Sequence, residues 1–174
     1  SMGLLAALLG SYAALRGPIV HEVQVKIKDL PQNLVGLTIA QISDLHVGPV
    51  VKKSYVQNVV NKVNELKADL IAITGDLADG KASGLTEDLE PLRNLSSSLG
   101  TFYVSGNHEY YWNIEEWEAK VQELGMKLLH NSGASVGPTE NLWLGGVPDY
   151  SAYRIRPGDS SDPQSALPAH KEDY

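Results

Sequence analysis

The chain contains no cysteine. Disulfides and thiolate metal sites are therefore excluded, and any metal ion must be held by oxygen and imidazole donors. There is no long basic run, and the net charge is −7. Nothing in this balance provides an extended patch for nucleic acid or an anionic membrane. Internal repeats and low-complexity tracts are also lacking. The one long apolar run, "GLLAALLGSYAAL" from Gly3 to Leu15, falls short of the roughly 20 residues that a bilayer span requires. It reads either as a helix packed on the domain or as the remnant of a membrane anchor, with Ser1-Met2 before it as an expression scar. Residues 1–20 are assigned to this segment and residues 21–174 to one folded domain. A chain of 174 residues suits one domain that buries about two thirds of its unfolded surface.

What is present alternates between strand-like and helix-like segments. "HEVQVKI" (21–27) places Val23, Val25 and Ile27 on one face, as in a half-buried strand. "LTIAQIS" (37–43) predicts a more buried strand. Val56, Val59, Val60 and Val63 recur at helical spacing, with Ser54 and Gln57 as a capping box. "LIAIT" is the next strand. Leu89, Leu92 and Leu95 predict a short helix with Pro91 in its first turn. "TFYVS" is a third strand. Asn113 is placed as the cap of a helix burying Ile114, Trp117, Val121 and Leu124, and Gly125 as its terminator. Short strands are predicted near 127–129 and 142–147, and loop from Asp149 onward. This order is that of an α/β domain with a largely parallel sheet, whose ligands gather at the carboxyl ends of the strands.

Three successive strands end in polar residues able to bind metal: Asp44-Leu45-His46, Gly75-Asp76-Leu77-Ala78-Asp79, and Gly106-Asn107-His108-Glu109. Each block alone also fits turn or capping chemistry. Their conjunction, each just after a strand and about thirty residues apart, points to one site, because neighbouring parallel strands lie about 5 Å apart. Hard oxygen donors with imidazole suit Mn, Fe, Zn or Mg. His21, in the first strand, His130, at a strand-to-turn position, and His170, in a solvated loop, are read as lying outside the site.

"ISDLHVGP", "ITGDLADG" and "FYVSGNHEYYW" resemble the first signature blocks of the calcineurin-like metallophosphoesterases, over about 22–153. The likeness is greatest to the branch whose phosphoesterase domain is carried behind membrane helices. It implies a four-layer α/β/β/α sandwich, of which this chain supplies mainly the first sheet and its helices. It also implies two divalent metal ions, sharing a bridging aspartate and a bridging hydroxide. By position, Asp44 and His46 would bind the first ion, Asp76 both, and Asn107 the second. His108 would act as general acid or transition-state stabiliser, oriented by Asp79. The implied reaction is hydrolysis of a phosphoester, as phosphodiesterase or phosphatase, by a membrane-associated parent protein with a soluble catalytic domain.

The family's later blocks, an apolar-His-x-Pro and a Gly-His-x-His, have no counterpart here. The sequence is therefore read as the N-terminal portion of a longer enzyme, inactive or weak alone, whose uncovered sheet face needs its C-terminal portion or a second chain. A binding or scaffold module without catalysis is the alternative. A second alternative is a membrane-proximal hydrolase of lipid pyrophosphates, motivated by the apolar segment and by Tyr110, Tyr111 and Trp112 beside the site. Packing against the next helix is the plainer use of those aromatics.

Overall fold

The valine spacing does produce a helix. In the computed structural model, which describes Gly3, residues 17–137 and residues 142–169, helix α1 runs over Lys53–Leu66 and buries Val56, Val59, Val60 and Val63. Its N-cap is Lys52, whose side chain makes no capping bond. The expected capping box does not form. Asp88, distant in sequence, accepts from the Lys53 backbone N–H at 3.0 Å, and Gln57 turns to Asn61. A carboxylate arriving from another element satisfies the orphan donor, so no local cap is needed.

Helix α1 covers a four-stranded parallel sheet of β1 (Ile39–Ile42), β2 (Leu70–Thr74), β3 (Thr101–Val104) and β4 (Lys127–Leu128), in that order. Register is direct: Ile39 lies opposite Leu70, Ile71 opposite Thr101, and Phe102 opposite Lys127. Because side chains alternate along a strand, Ala40, Ile42, Ile71, Ile73 and Tyr103 enter the core beneath the helices. Leu70 and Phe102 face the other way and pack with Leu129 and Val136. That second cluster is roofed by an antiparallel hairpin of β5 (Ser132–Val136) and β6 (Leu142–Gly146). Strand β1 is less buried than its composition predicts. Ala40 and Ile42 are buried but Ile39 is exposed, because the hairpin roofs β2 and β3 rather than β1.

Between β2 and β3 the chain makes two 3-10 segments, Ala82–Leu85 and Glu90–Asn94, flanking helix α2 (Thr86–Leu89). Leu89 and Leu92 are buried there, and Pro91 sits at the start of the second segment. After β3 come α3 (Asn107–Tyr111) and α4 (Ile114–Glu123). Asn113 holds the N-cap position of α4 at φ 92°, without a side-chain capping bond. Beyond α4, Gly125 at φ +88° returns its N–H to Gln122.

Two further expectations need correction, and one strand was missed. Residues 21–27 form no strand: Val23 is 78% and Val25 74% exposed, since no neighbouring strand pairs with them among the described residues. Strand β5, "SGASV", was not predicted, because small side chains carry no clear alternation. The stretch after Asp149 is not all loop; α5 occupies Ala152–Ile155. Apart from Gly3, the apolar run 3–15 lies outside the described residues, as does His170. Among the described residues, no helix is long and apolar enough to cross a membrane.

Candidate metal centre

The blocks after β1 and β2 continue side by side beyond the sheet. Asp44 N–H donates to Gly75 O, His46 N–H to Asp76 O, Val47 N–H to Leu77 O at 2.9 Å, and Asp79 N–H to Val47 O at 2.8 Å. These bends use left-handed backbone at Asp44 (φ 55°), His46 (φ 49°) and Asp76 (φ 50°). Such conformations cost a non-glycine residue about 1–3 kcal/mol each and persist where surroundings fix them. Three of the residues assigned to metal by sequence carry this strain. The third block crosses the second at van der Waals distance. A Cβ on Gly75 would collide with the Gly106 backbone, and one on Gly106 with Asp76.

Glu109 locks this crossing. It is fully buried, yet accepts from Leu77 N–H (2.7 Å), Gly106 N–H (2.7 Å) and Asp76 N–H (3.1 Å). Burial raises its carboxyl above the ordinary range, while those N–H groups pull the other way. The sequence motif contains Glu109, but two of its three donors lie about thirty residues away, so its role could not be read locally. Trp117 supports the same loop: its indole N–H donates to Gly80 O at 3.2 Å.

All six sequence-predicted residues lie around this crossing. Donor atoms of His46, Asp76 and His108 all fall within 4.8 Å of one another. Asp79 Oδ1 stands 3.2 Å from His46 Nδ1 and 2.5 Å from His108 Nδ1. Burial raises the Asp79 carboxyl, but the two imidazoles outweigh it and hold the group below the usual carboxylate range. An ionised carboxylate only accepts, so each ring carries its proton on Nδ1 and leaves Nε2 as the free atom. Asp76 Oδ1 also accepts from the His108 backbone N–H at 3.1 Å. Asp44 is the most peripheral of the six. Its side chain is 65% exposed, is hydrogen-bonded by the Ser43 hydroxyl, and lies 3.9 Å from His46 Nε2.

Asn107 tests whether the centre suits a cation. With its nitrogen toward Asp76, the amide donates to Oδ2 at 3.2 Å and to Oδ1 at 3.3 Å. Turned over, its oxygen faces two carboxylate oxygens, an arrangement that a cation would reconcile. Carboxylate, imidazole and amide donors without sulfur fit a hard or borderline divalent ion. Each side chain therefore has a use both with and without metal.

Of the histidines that sequence reading set aside, the two among the described residues do not enter this set. His130 Nδ1 lies 2.8 Å from Glu118 Oε1, and His21 is exposed in an extended segment. The aromatic cluster divides. Tyr110 is buried with Ile114 and Ala152, whereas Tyr111 and Trp112 line a cleft of about 620 Å³ with Pro49, Val50, His46, Asp79 and His108. Sequence reading missed Pro49 and Val50, whose only signal was adjacency to the first block.

The family model for calcineurin-like phosphoesterases matches residues 37–163. A transmembrane protein with metallophosphoesterase domain from Danio rerio is 37% identical over 167 residues, covering 92% of this chain and 38% of the relative. A metallophosphoesterase of Helicobacter pylori is 35% identical over 176 residues, covering 98% of this chain and 46% of its own length. UDP-2,3-diacylglucosamine pyrophosphatase LpxG of Chlamydia muridarum is 34% identical over 79 residues, 45% of this chain and 24% of that protein. The chain thus spans less than half the length of these relatives, and no solved structure matches it significantly. On the family match, and on the relatives that cover nearly all of it, the chain belongs to the calcineurin-like phosphoesterases.

Proposed function

We propose that the protein hydrolyses phosphoesters with two divalent cations held at this centre. The observation that carries the reading is the meeting of His46, Asp76 and His108 donor atoms within 4.8 Å, with Asp79 orienting both rings. Asp44 and His46 would hold one ion and Asn107 the other. Asp76, an anion with two oxygens, is suited to join them. Bound cations supply a water acidic enough to attack near neutral pH and charge to neutralise the phosphate oxygens. The chain's own residues do the rest. Asp79 fixes the Nδ1–H tautomer, so that His108 Nε2 can hold the proton that the leaving oxygen requires. Glu109 and the paired glycines keep the second and third blocks in register.

The test uses the full-length protein with Mn, Fe, Zn or Mg, assayed on p-nitrophenyl phosphate and bis(p-nitrophenyl) phosphate. Metal-dependent turnover of one of them is expected, and Asp76→Asn should lower kcat by at least about 100-fold. A protein inactive with every ion, or an Asp76→Asn variant as active as the original, overturns the reading. The choice between monoester and diester follows from the same pair of substrates.

A further inference from the structure

The cleft beside the metal centre has a polar floor and apolar walls. His46, Asp79 and His108 form the floor. Pro49 and Val50 rise from the loop after β1, and Tyr111 and Trp112 from the end of α3. Val50 is 73%, Tyr111 60% and Trp112 40% exposed. Single exposed apolar residues are ordinary, but a group that rims one concave polar site marks a binding surface. The packing use of the aromatic run is already taken by Tyr110.

Position decides what the walls would touch. The Tyr111 ring stands edge-on to His108, 5.7 Å between centroids, and His108 stands edge-on to His46 at 4.5 Å. The wall is thus continuous with the imidazole that serves the leaving oxygen. A group bonded to that oxygen would therefore reach Tyr111, and Trp112 lines the same cleft. Charge points the same way. Among the described residues no lysine or arginine lines the cleft, and Lys52, in the neighbouring groove, is held by Asp88 at 3.0 Å. A polyphosphate or nucleotide tail would call for such cations.

Resting on the hydrolase reading, we propose that this cleft selects phosphoesters whose leaving alcohol is apolar, an aryl or hydrocarbon group, with Val50, Tyr111 and Trp112 as the specificity-determining residues. The reaction balances as hydrolysis. A water oxygen bonds to phosphorus, the ester P–O bond breaks, the leaving oxygen takes a proton from His108, and the proton lost by water returns to the base so formed.

The experiment compares phenyl phosphate, hexyl phosphate, glycerol phosphate and ADP as substrates of the full-length, Mn-loaded protein. The apolar esters should exceed glycerol phosphate and ADP in kcat/KM by roughly 10-fold or more. Phenyl against hexyl tells an aromatic from an aliphatic preference. In the variant Tyr111→Ser/Trp112→Ser that ratio should fall toward unity, mainly through KM. Calorimetric binding of phenylphosphonate and hexylphosphonate against methylphosphonate reads the cleft without turnover, with about 10-fold tighter binding expected for at least one of the larger ligands. A preference for glycerol phosphate or ADP, or an unchanged ratio in the variant, overturns the proposal. If no ester is turned over, the hydrolase reading fails separately, and phosphonates that bind equally or not at all overturn the cleft assignment.

Discussion

Two carboxylates in neighbouring blocks are put to opposite uses. Asp79 is 40% exposed at its side chain and accepts from two imidazoles through one oxygen. Its ion pairs in that setting contribute little to stability, but they set which nitrogen of each ring is free. Asp79→Asn should therefore lower kcat by about 10–100-fold and leave the urea midpoint nearly unchanged, since an amide preserves shape and loses the enforced tautomer. Glu109 is fully buried and holds three backbone N–H groups. Glu109→Ala strands those donors, each costing about 1–3 kcal/mol when buried without a partner. Chemical denaturation should show a loss of about 3 kcal/mol or more, and a loss below 1 kcal/mol would contradict this role. Asp79 was singled out by the resemblance of its block to the family signature. The role of Glu109 could not be read in this way, because two of its three partners, Asp76 and Leu77, belong to a loop encoded about thirty residues earlier.

Elements with strong apolar periodicity were legible. Helix α1 follows from four valines, and β2 from an unbroken aliphatic run, because burial rewards those patterns directly. Elements defined by a neighbour were not. Strand β5 exists through pairing with β6, and residues 21–27 have strand spacing without a partner to pair with. The cap of α1 belongs to this second kind. Hydrogen bonds from the Lys52 ammonium and then the Lys53 N–H hold Asp88 below the usual carboxylate range. A carboxyl depressed on folding adds stability above its ordinary value of 3.8, and that contribution is lost as pH falls through the folded value. Asp88→Ala should cost about 1 kcal/mol at pH 7. Thermal melts of the two proteins should draw together as the pH is taken below 3.8. A gap that stayed constant with pH would mean that the lost stability was packing rather than charge.

At the scale of the molecule, the centre is assembled from three strand ends and belongs to no single element. Asp44 and His46 follow β1, Asp76 and Asp79 follow β2, and Asn107 and His108 begin α3 behind β3. The repeated strand–helix order made this convergence foreseeable. The left-handed turns that aim the side chains, and the hairpin roofing the far face of the sheet, were not foreseeable, since both depend on contacts between distant segments. A centre of this kind exists only while the sheet is intact, so ligand binding and folding are coupled. A divalent ion that binds the folded chain alone adds RT ln(1 + [L]/Kd), about 2.7 kcal/mol at 100 times Kd. For a domain of this size that corresponds to a rise of roughly 5–10 °C in Tm. Mn or Zn should produce such a rise, EDTA should reverse it, and Asp76→Asn should abolish it while retaining the apo melting temperature. Because Asp76 carries positive φ and lies against the Asn107 amide, its neutral variant keeps the shape and loses the charge that attracts the ion. An equal rise in the variant would locate the bound ion away from the three strand ends, and the coupling of metal to fold would fail with it.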